Sequence, residues 1–156
     1  MLEEKELTVY DDLEELDDYE EKIEKICDNN NAHLTEFEKH LKDNGLSKKT
    51  IDNHVSNVRF YLNNYLARYE AEDVTCGCIS GNVANFLGNW FIRKTTWASC
   101  SHIKSNAASF KKFYAFMLEK GVVRQEDYDE LTETIKEEMS DWLEEMRLVE
   151  EAELNL

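Results

Sequence analysis

Apolar residues recur along most of this chain at steps of three and four, the spacing that lines one face of an α-helix. A first run, Leu13, Leu16, Tyr19, Ile23 and Ile26 with carboxylates between them, predicts an amphipathic helix over about 10–28. Three consecutive asparagines, Asn29–Asn31, are expected to end it, because their side chains compete for nearby backbone groups. A short helix is expected over 34–44, with Leu34, Phe37 and Leu41 inward and Gly45 as its stop. Ser47 then caps a helix reaching about residue 70, whose apolar face is Ile51, Val55, Val58, Leu62, Leu66 and Tyr69. Lys49, Asn53, Ser56 and Arg59 are left on its other sides.

A connection over 71–80 leads to a third helix, about 82–92, that should bury Val83, Phe86, Leu87 and Trp90. The segment 93–98 reads as a basic, hydroxyl-rich loop. Ser99 or Ser101 can cap a fourth helix reaching Lys120, with Ile103, Ala107, Phe110, Tyr114 and Met117 inward and Gly121 ending it. A last helix over 126–152 repeats Tyr128, Leu131, Ile135, Met139, Trp142, Met146 and Val149, a spacing suited to a coiled-coil seam or a long docking helix.

The absence of proline and the presence of only 5 glycines, of which Gly88 alone falls inside a helical run, fit this all-α reading. At 156 residues the chain can build one real core without staples. No apolar run reaches membrane-spanning length and the N-terminus is acidic, so a soluble, cytoplasmic protein with no membrane partner is expected. The four cysteines, Cys27, Cys76, Cys78 and Cys100, are then expected as reduced thiols.

A net charge of −16 argues against a nucleic-acid partner until its distribution is considered. Residues 1–28 carry 13 acids and 3 bases, and residues 125–156 carry 13 acids and 2 bases. Residues 29–124 carry 8 acids and 13 bases, so a basic centre lies between two acidic arms. The expected organisation is an acidic helical arm over 1–28, a helical core domain over 29–124, and an acidic helix over 125–156 that packs on the bundle or extends from it.

Phe37 with Leu41, the run GLSKKT at 45–50 leading into Val58, Arg59, Phe60 and Leu62, Phe86 with Leu87, and Ser99–Gly121 ending in FYAFMLEKG follow one another in a telling order. Together, residues 34–120 resemble the N-terminal core-binding, or SAM-like, domain of tyrosine recombinases and phage integrases. The resemblance implies a SAM-like four-helix bundle, here with acidic flanking helices, that holds double-stranded DNA in a recombination or integration setting. In that family two helices present their starts and exposed faces to the major groove and the phosphates. Carried onto this chain, the contacts are Lys48, Lys49 and Thr50 at one helix start and Ser99, Ser101, His102 and Lys104 at the other. Free N–H groups at helix starts and lysine charge suit phosphate. Arg93, Lys94, Thr95 and Thr96 add a basic loop, and Lys111 lies on the same side of its helix as Lys104.

The resemblance also implies a division of labour, with cleavage belonging to a separate C-terminal domain that supplies an Arg, a His-x-x-Arg motif, a further His or Trp, and the nucleophilic Tyr. None of the histidines, His33, His40, His54 and His102, has an arginine three residues later. A tyrosine without such partners is a packing residue, so no catalytic residue, and no enzyme activity, is expected. Cys76, Cys78, Cys100 and His102 have zinc-ligand chemistry but not the usual knuckle spacing, and neither a metal nor another cofactor is expected. Trp90 and Trp142 are expected in the core or seam, and Trp97 packed under the basic loop, with contact to a sugar or phosphate as its alternative.

Other readings of the same residues stay open. Lys48, Lys49 and Thr50 can serve only to cap and solubilise a helix. The scaffold can instead act as an interaction or regulatory module whose acidic amphipathic helices, the one over 126–152 above all, bind a protein partner or a second copy. In a combined version, the acidic arms cover the basic patch and restrain DNA binding.

Overall fold

The expected break at Asn29–Asn31 does not occur: α1 runs without interruption over Leu2–Asp43, joining the acidic arm to the first core helix. The cause is tertiary. Asn30 is fully buried, and its Nδ2 donates to the Leu62 carbonyl (3.3 Å) and to Asn63 Oδ1 (3.0 Å). Asn63 Nδ2 in turn donates to Asn31 Oδ1 at 3.0 Å. Amides held by a neighbouring helix cannot compete for their own backbone, and the turn signal is overridden. The computed structural model describes residues 2–154, with side chains from residue 14 onward. The side chains of Tyr10 and Leu13, which fall in the expected arm, lie outside the described residues.

All the described secondary structure is helical, in five helices. After α1, α2 spans Lys48–Arg59 and continues through a π-helical stretch, Phe60–Ala67, into a last turn, Arg68–Glu70. A single 3₁₀ turn, Cys76–Cys78, leads to α3, built from Ser80–Asn85, a second π stretch Phe86–Trp90, and Phe91–Lys94. Helix α4 is Cys100–Glu119 and α5 is Gln125–Leu154.

The expected boundaries of α2 and α4 have visible chemical causes. Ser47 Oγ accepts from the Thr50 N–H at 3.3 Å, and Ser99 Oγ, rather than Ser101, accepts from the His102 N–H at 3.2 Å. Gly45 at φ +80° and Gly121 at φ +78° close α1 and α4 in the same way. At each, the residue beyond the glycine donates back five positions, Leu46 to the Leu41 carbonyl and Val122 to the Met117 carbonyl. The apolar face of α4 is as expected, with Ile103, Ala107, Phe110, Tyr114 and Met117 all buried.

The face of α2 departs from its 3.6-residue pattern where the π stretch begins. Tyr61, Leu62, Asn63, Tyr65, Leu66 and Ala67 are all buried, while Tyr69, expected inward, is 57% exposed. The wider π turn brings more successive side chains to one face. Those side chains are bulky rings: Tyr61 stacks on Phe110 (4.4 Å) and leans on Phe86 (5.0 Å), and Tyr65 meets Trp90 at 5.2 Å. Two π stretches therefore face each other across one aromatic cluster.

Helices α2 and α4 run antiparallel, as shown by His54 against Ser109 (2.7 Å) and Asn57 against Ser105 (3.1 Å). The core half of α1 lies on this pair through Phe37 on Phe113 and His40 on Phe116. Helix α5 folds back on α3 and α4, with Leu131, Ile135, Trp142 and Met146 buried. Four buried apolar side chains contribute roughly 1.5–3 kcal/mol each, whereas the exposed Arg93–Glu145 pair (2.8 Å) that joins α3 to α5 adds well under about 1 kcal/mol. Apolar burial thus decides where α5 sits: of the stripe expected as a coiled-coil seam or a docking face, Leu131, Ile135, Trp142 and Met146 are buried on this chain's own helices and Tyr128, Met139 and Val149 are half-buried.

Candidate nucleic-acid interface

The antiparallel pairing of α2 and α4 fixes where the candidate contacts can meet. Ser47 lies seven residues before His54, and Ser99 ten before Ser109, so the two helix starts fall at opposite ends of the pair, roughly 25 Å apart at 1.5 Å per residue. Lys48, Lys49 and Thr50 stand at one end. Ser101, His102, Arg93, Lys94 and Thr96 stand at the other, where the end of α3 meets the start of α4. Lys104 and Lys111 lie between, on the outer side of α4. The helix starts therefore do not share one point, and any joint use of them follows a stripe along the pair.

All ten of these residues are exposed, and neither acidic helix covers them. Among the described residues Arg93 is the one of the ten held in an ion pair, with Glu145 of α5. The segment 93–98, expected as a loop, begins as the last turn of α3, and Thr95 is buried with its hydroxyl donating to the Phe91 carbonyl at 2.7 Å. Trp97 is not packed under this segment: it is 53% exposed, edge-on to Phe60 at 5.5 Å between ring centres. Trp142 is buried as expected, and Trp90 is half-buried with its indole N–H unpartnered.

Charge is segregated along the pair. Helix α4 carries Lys104, Lys111 and Lys112 and no acid from Cys100 to Leu118. Asp52, the acid within the first turns of α2, lies on the α1 side with Glu38, Lys42 and Lys48, away from the α2–α4 seam. The seam itself is polar and neutral. Ser109 donates its hydroxyl proton to the Ser105 carbonyl (3.0 Å), so His54 must donate through Nδ1 while Asn57 Nδ2 also donates to Ser109 Oγ (3.0 Å). Burial, and then the Lys112 charge, hold the His54 pKa below its ordinary value, in keeping with a neutral ring.

The caps limit what the helix starts can offer. The Thr50 and His102 N–H groups are taken by Ser47 and Ser99, which leaves the N–H groups of Lys48, Lys49, Cys100 and Ser101 for an anion. His102 Nδ1 is engaged with Ser99 Oγ at 2.9 Å, so its Nε2 is the edge available to a ligand.

Lys112 was not among the residues singled out from the sequence, yet its charge reaches the seam. The signal was present as the Lys111–Lys112 doublet inside an acid-free run, but choosing between its members requires knowing which side of α4 meets α2. Tyr61 and Tyr114 are buried and donate to the Gly77 and Val74 carbonyls at 2.8 Å, and burial pushes both phenols well above the ordinary value. Burial beside Asp127 pushes the Cys78 thiol up to about 12. Cys100 Sγ lies against the Leu143 carbonyl of α5, and no group of three or more His, Cys, Asp or Glu converges among the described residues. No described helix is long and apolar enough to cross a membrane. Comparison with protein-family models, curated proteins and solved structures finds no match to this chain.

Proposed function

We propose that this chain is a non-catalytic module that grips duplex DNA, of the kind that the SAM-like core-binding domain provides in tyrosine recombinases, and that the outer face of the α2–α4 pair is its contact surface. One observation carries the reading: α4 presents Lys104, Lys111 and Lys112 with no acid from Cys100 to Leu118, while the acids are concentrated on α5 and the projecting part of α1. A duplex interacts chiefly through phosphate charge, so local potential outweighs net charge at contact. A face about 25 Å long matches roughly seven base pairs at 3.4 Å each. Beside the buried seam, the exposed Ser105 and Asn53 offer a hydroxyl and an amide to phosphate and base edges. The test is a fluorescence anisotropy titration with a labelled duplex at low salt. Binding should weaken steeply as salt rises, and a folded protein that shows no binding at low salt rejects the proposal.

A second reading has its own observation. Leu16 and Tyr19 on the projecting part of α1 are 56% and 44% exposed, an apolar stripe that the bundle leaves open. An interaction role would therefore use α1 rather than the filled seam of α5. Sedimentation velocity with and without Leu16→Glu and Tyr19→Glu tests it, since self-association untouched by these changes does not run through α1.

A further inference from the structure

At the α4-start end of the stripe, α2, the end of α3 and the start of α4 enclose an open groove. Its walls include Phe60, Trp97, Ser56, His102 and Asn106. The exposed indole of Trp97 forms one side, braced edge-on by Phe60. The polar groups opposite are positioned and partly unused. Asn106 is buried, and its Nδ2 is engaged with the His102 carbonyl at 2.7 Å, which leaves Oδ1 for the groove. Ser99 holds the other edge of the His102 ring. Among the described residues no acid lines the groove, and Arg59 stands next to Phe60 of its wall in sequence.

A planar ring to stack on, an amide oxygen and an imidazole edge beside it, and a neighbouring arginine are the chemistry of a single nucleotide, with base on indole and phosphate on arginine. A duplex keeps its bases stacked inside and cannot enter. We infer that this groove takes one unpaired nucleobase, so that the protein prefers DNA in which a single-stranded nucleotide adjoins the duplex lying along α2–α4. The inference rests on the duplex-binding reading for its setting, but the groove can also act on single strands alone.

The experiment uses the whole chain, wild type and Trp97→Ala, with three labelled probes: a blunt duplex of roughly 20 base pairs, the same duplex with a short single-stranded overhang, and the overhang strand alone. Trp97→Phe serves as the conservative control, and thermal melting shows that each variant is folded. Stacking of one base should make the overhang probe bind roughly tenfold more tightly than the blunt one. Trp97→Ala should abolish that gain with blunt-duplex affinity unchanged, and Trp97→Phe should keep most of it. Equal affinity for blunt and overhang probes overturns the inference and leaves duplex binding standing, as does a gain that survives Trp97→Ala. Trp97-dependent binding of the single strand without any duplex binding supports the groove and removes the duplex reading. Binding to none of the probes removes both.

Discussion

Replacing Asn30 with alanine isolates the contact that carries α1 through its asparagine triplet. The side chain is fully buried and makes two donor contacts, to the Leu62 carbonyl and to Asn63 Oδ1. Truncation leaves those two acceptors without this donor in a site water does not reach, at roughly 1–3 kcal/mol for a buried group left unsatisfied. Two terms oppose it. Alanine is the better helix former by about 0.7 kcal/mol at most, and the variant loses Asn30 Oδ1, which is buried without a partner. The net expectation is a destabilisation of about 2 kcal/mol, read as a lower urea midpoint at unchanged slope. Asn31→Ala, at an exposed position with one hydrogen bond to Asn63, should stay within about 0.5 kcal/mol of wild type. A cycle with Asn63→Ala should show that the Asn30 and Asn63 effects are not additive. Wild-type stability in Asn30→Ala would refute the argument that this amide network holds the helix continuous.

Other outcomes follow from single sites. A Cβ at Gly88 would stand 2.6 Å from Trp142 Cδ1, so Gly88→Ala should cost about 1–3 kcal/mol of stability and red-shift tryptophan emission as α5 loosens. Ala71 sits at φ +53°, and Ala71→Gly should raise stability by about 0.5–1 kcal/mol, the roughly 1–2 kcal/mol of left-handed strain less the flexibility glycine adds to the unfolded chain; an unchanged urea midpoint would show the strain is absent. The His54 pKa is lowered by burial and by Lys112, so the unfolded chain binds this proton first on acidification, and native stability from this group is lost as pH falls below about 6.5. The stability difference between wild type and His54→Gln should therefore shift against wild type between about pH 7 and 5, and a pH-independent difference would contradict the assignment.

The legible parts of the sequence were those governed by neighbours. Ser47, Gly45 and Gly121 act within a turn of themselves, and the α4 stripe from Ile103 to Met117 needs only one regular helix. What escaped depends on residues far along the chain. Asn30 reads as a turn former until Leu62 and Asn63 are placed beside it. The α2 pattern holds from Ile51 to Val58 and then slips, because aromatic packing between α2 and α3 selects π turns that hydrophobic spacing does not encode. The candidate contacts were individually visible as basic or hydroxyl residues near helix ends. The separation of the two helix starts and the place of Lys112 follow from the antiparallel pairing of α2 and α4, a tertiary fact, and the exposure of Trp97 from where the segment between α3 and α4 passes Phe60.

The most direct measurement is the salt dependence of duplex binding after Lys104, Lys111 and Lys112 are changed together to glutamine. If these lysines neutralise phosphates, the slope of log affinity against log salt should become shallower by about 2.7, or 0.9 for each lysine. The same number of changes on the acidic helices, at Lys22, Lys25 and Lys136, should leave the slope where it was. A slope unmoved by the α4 changes, or moved equally by both sets, contradicts the α2–α4 face as the DNA-binding surface.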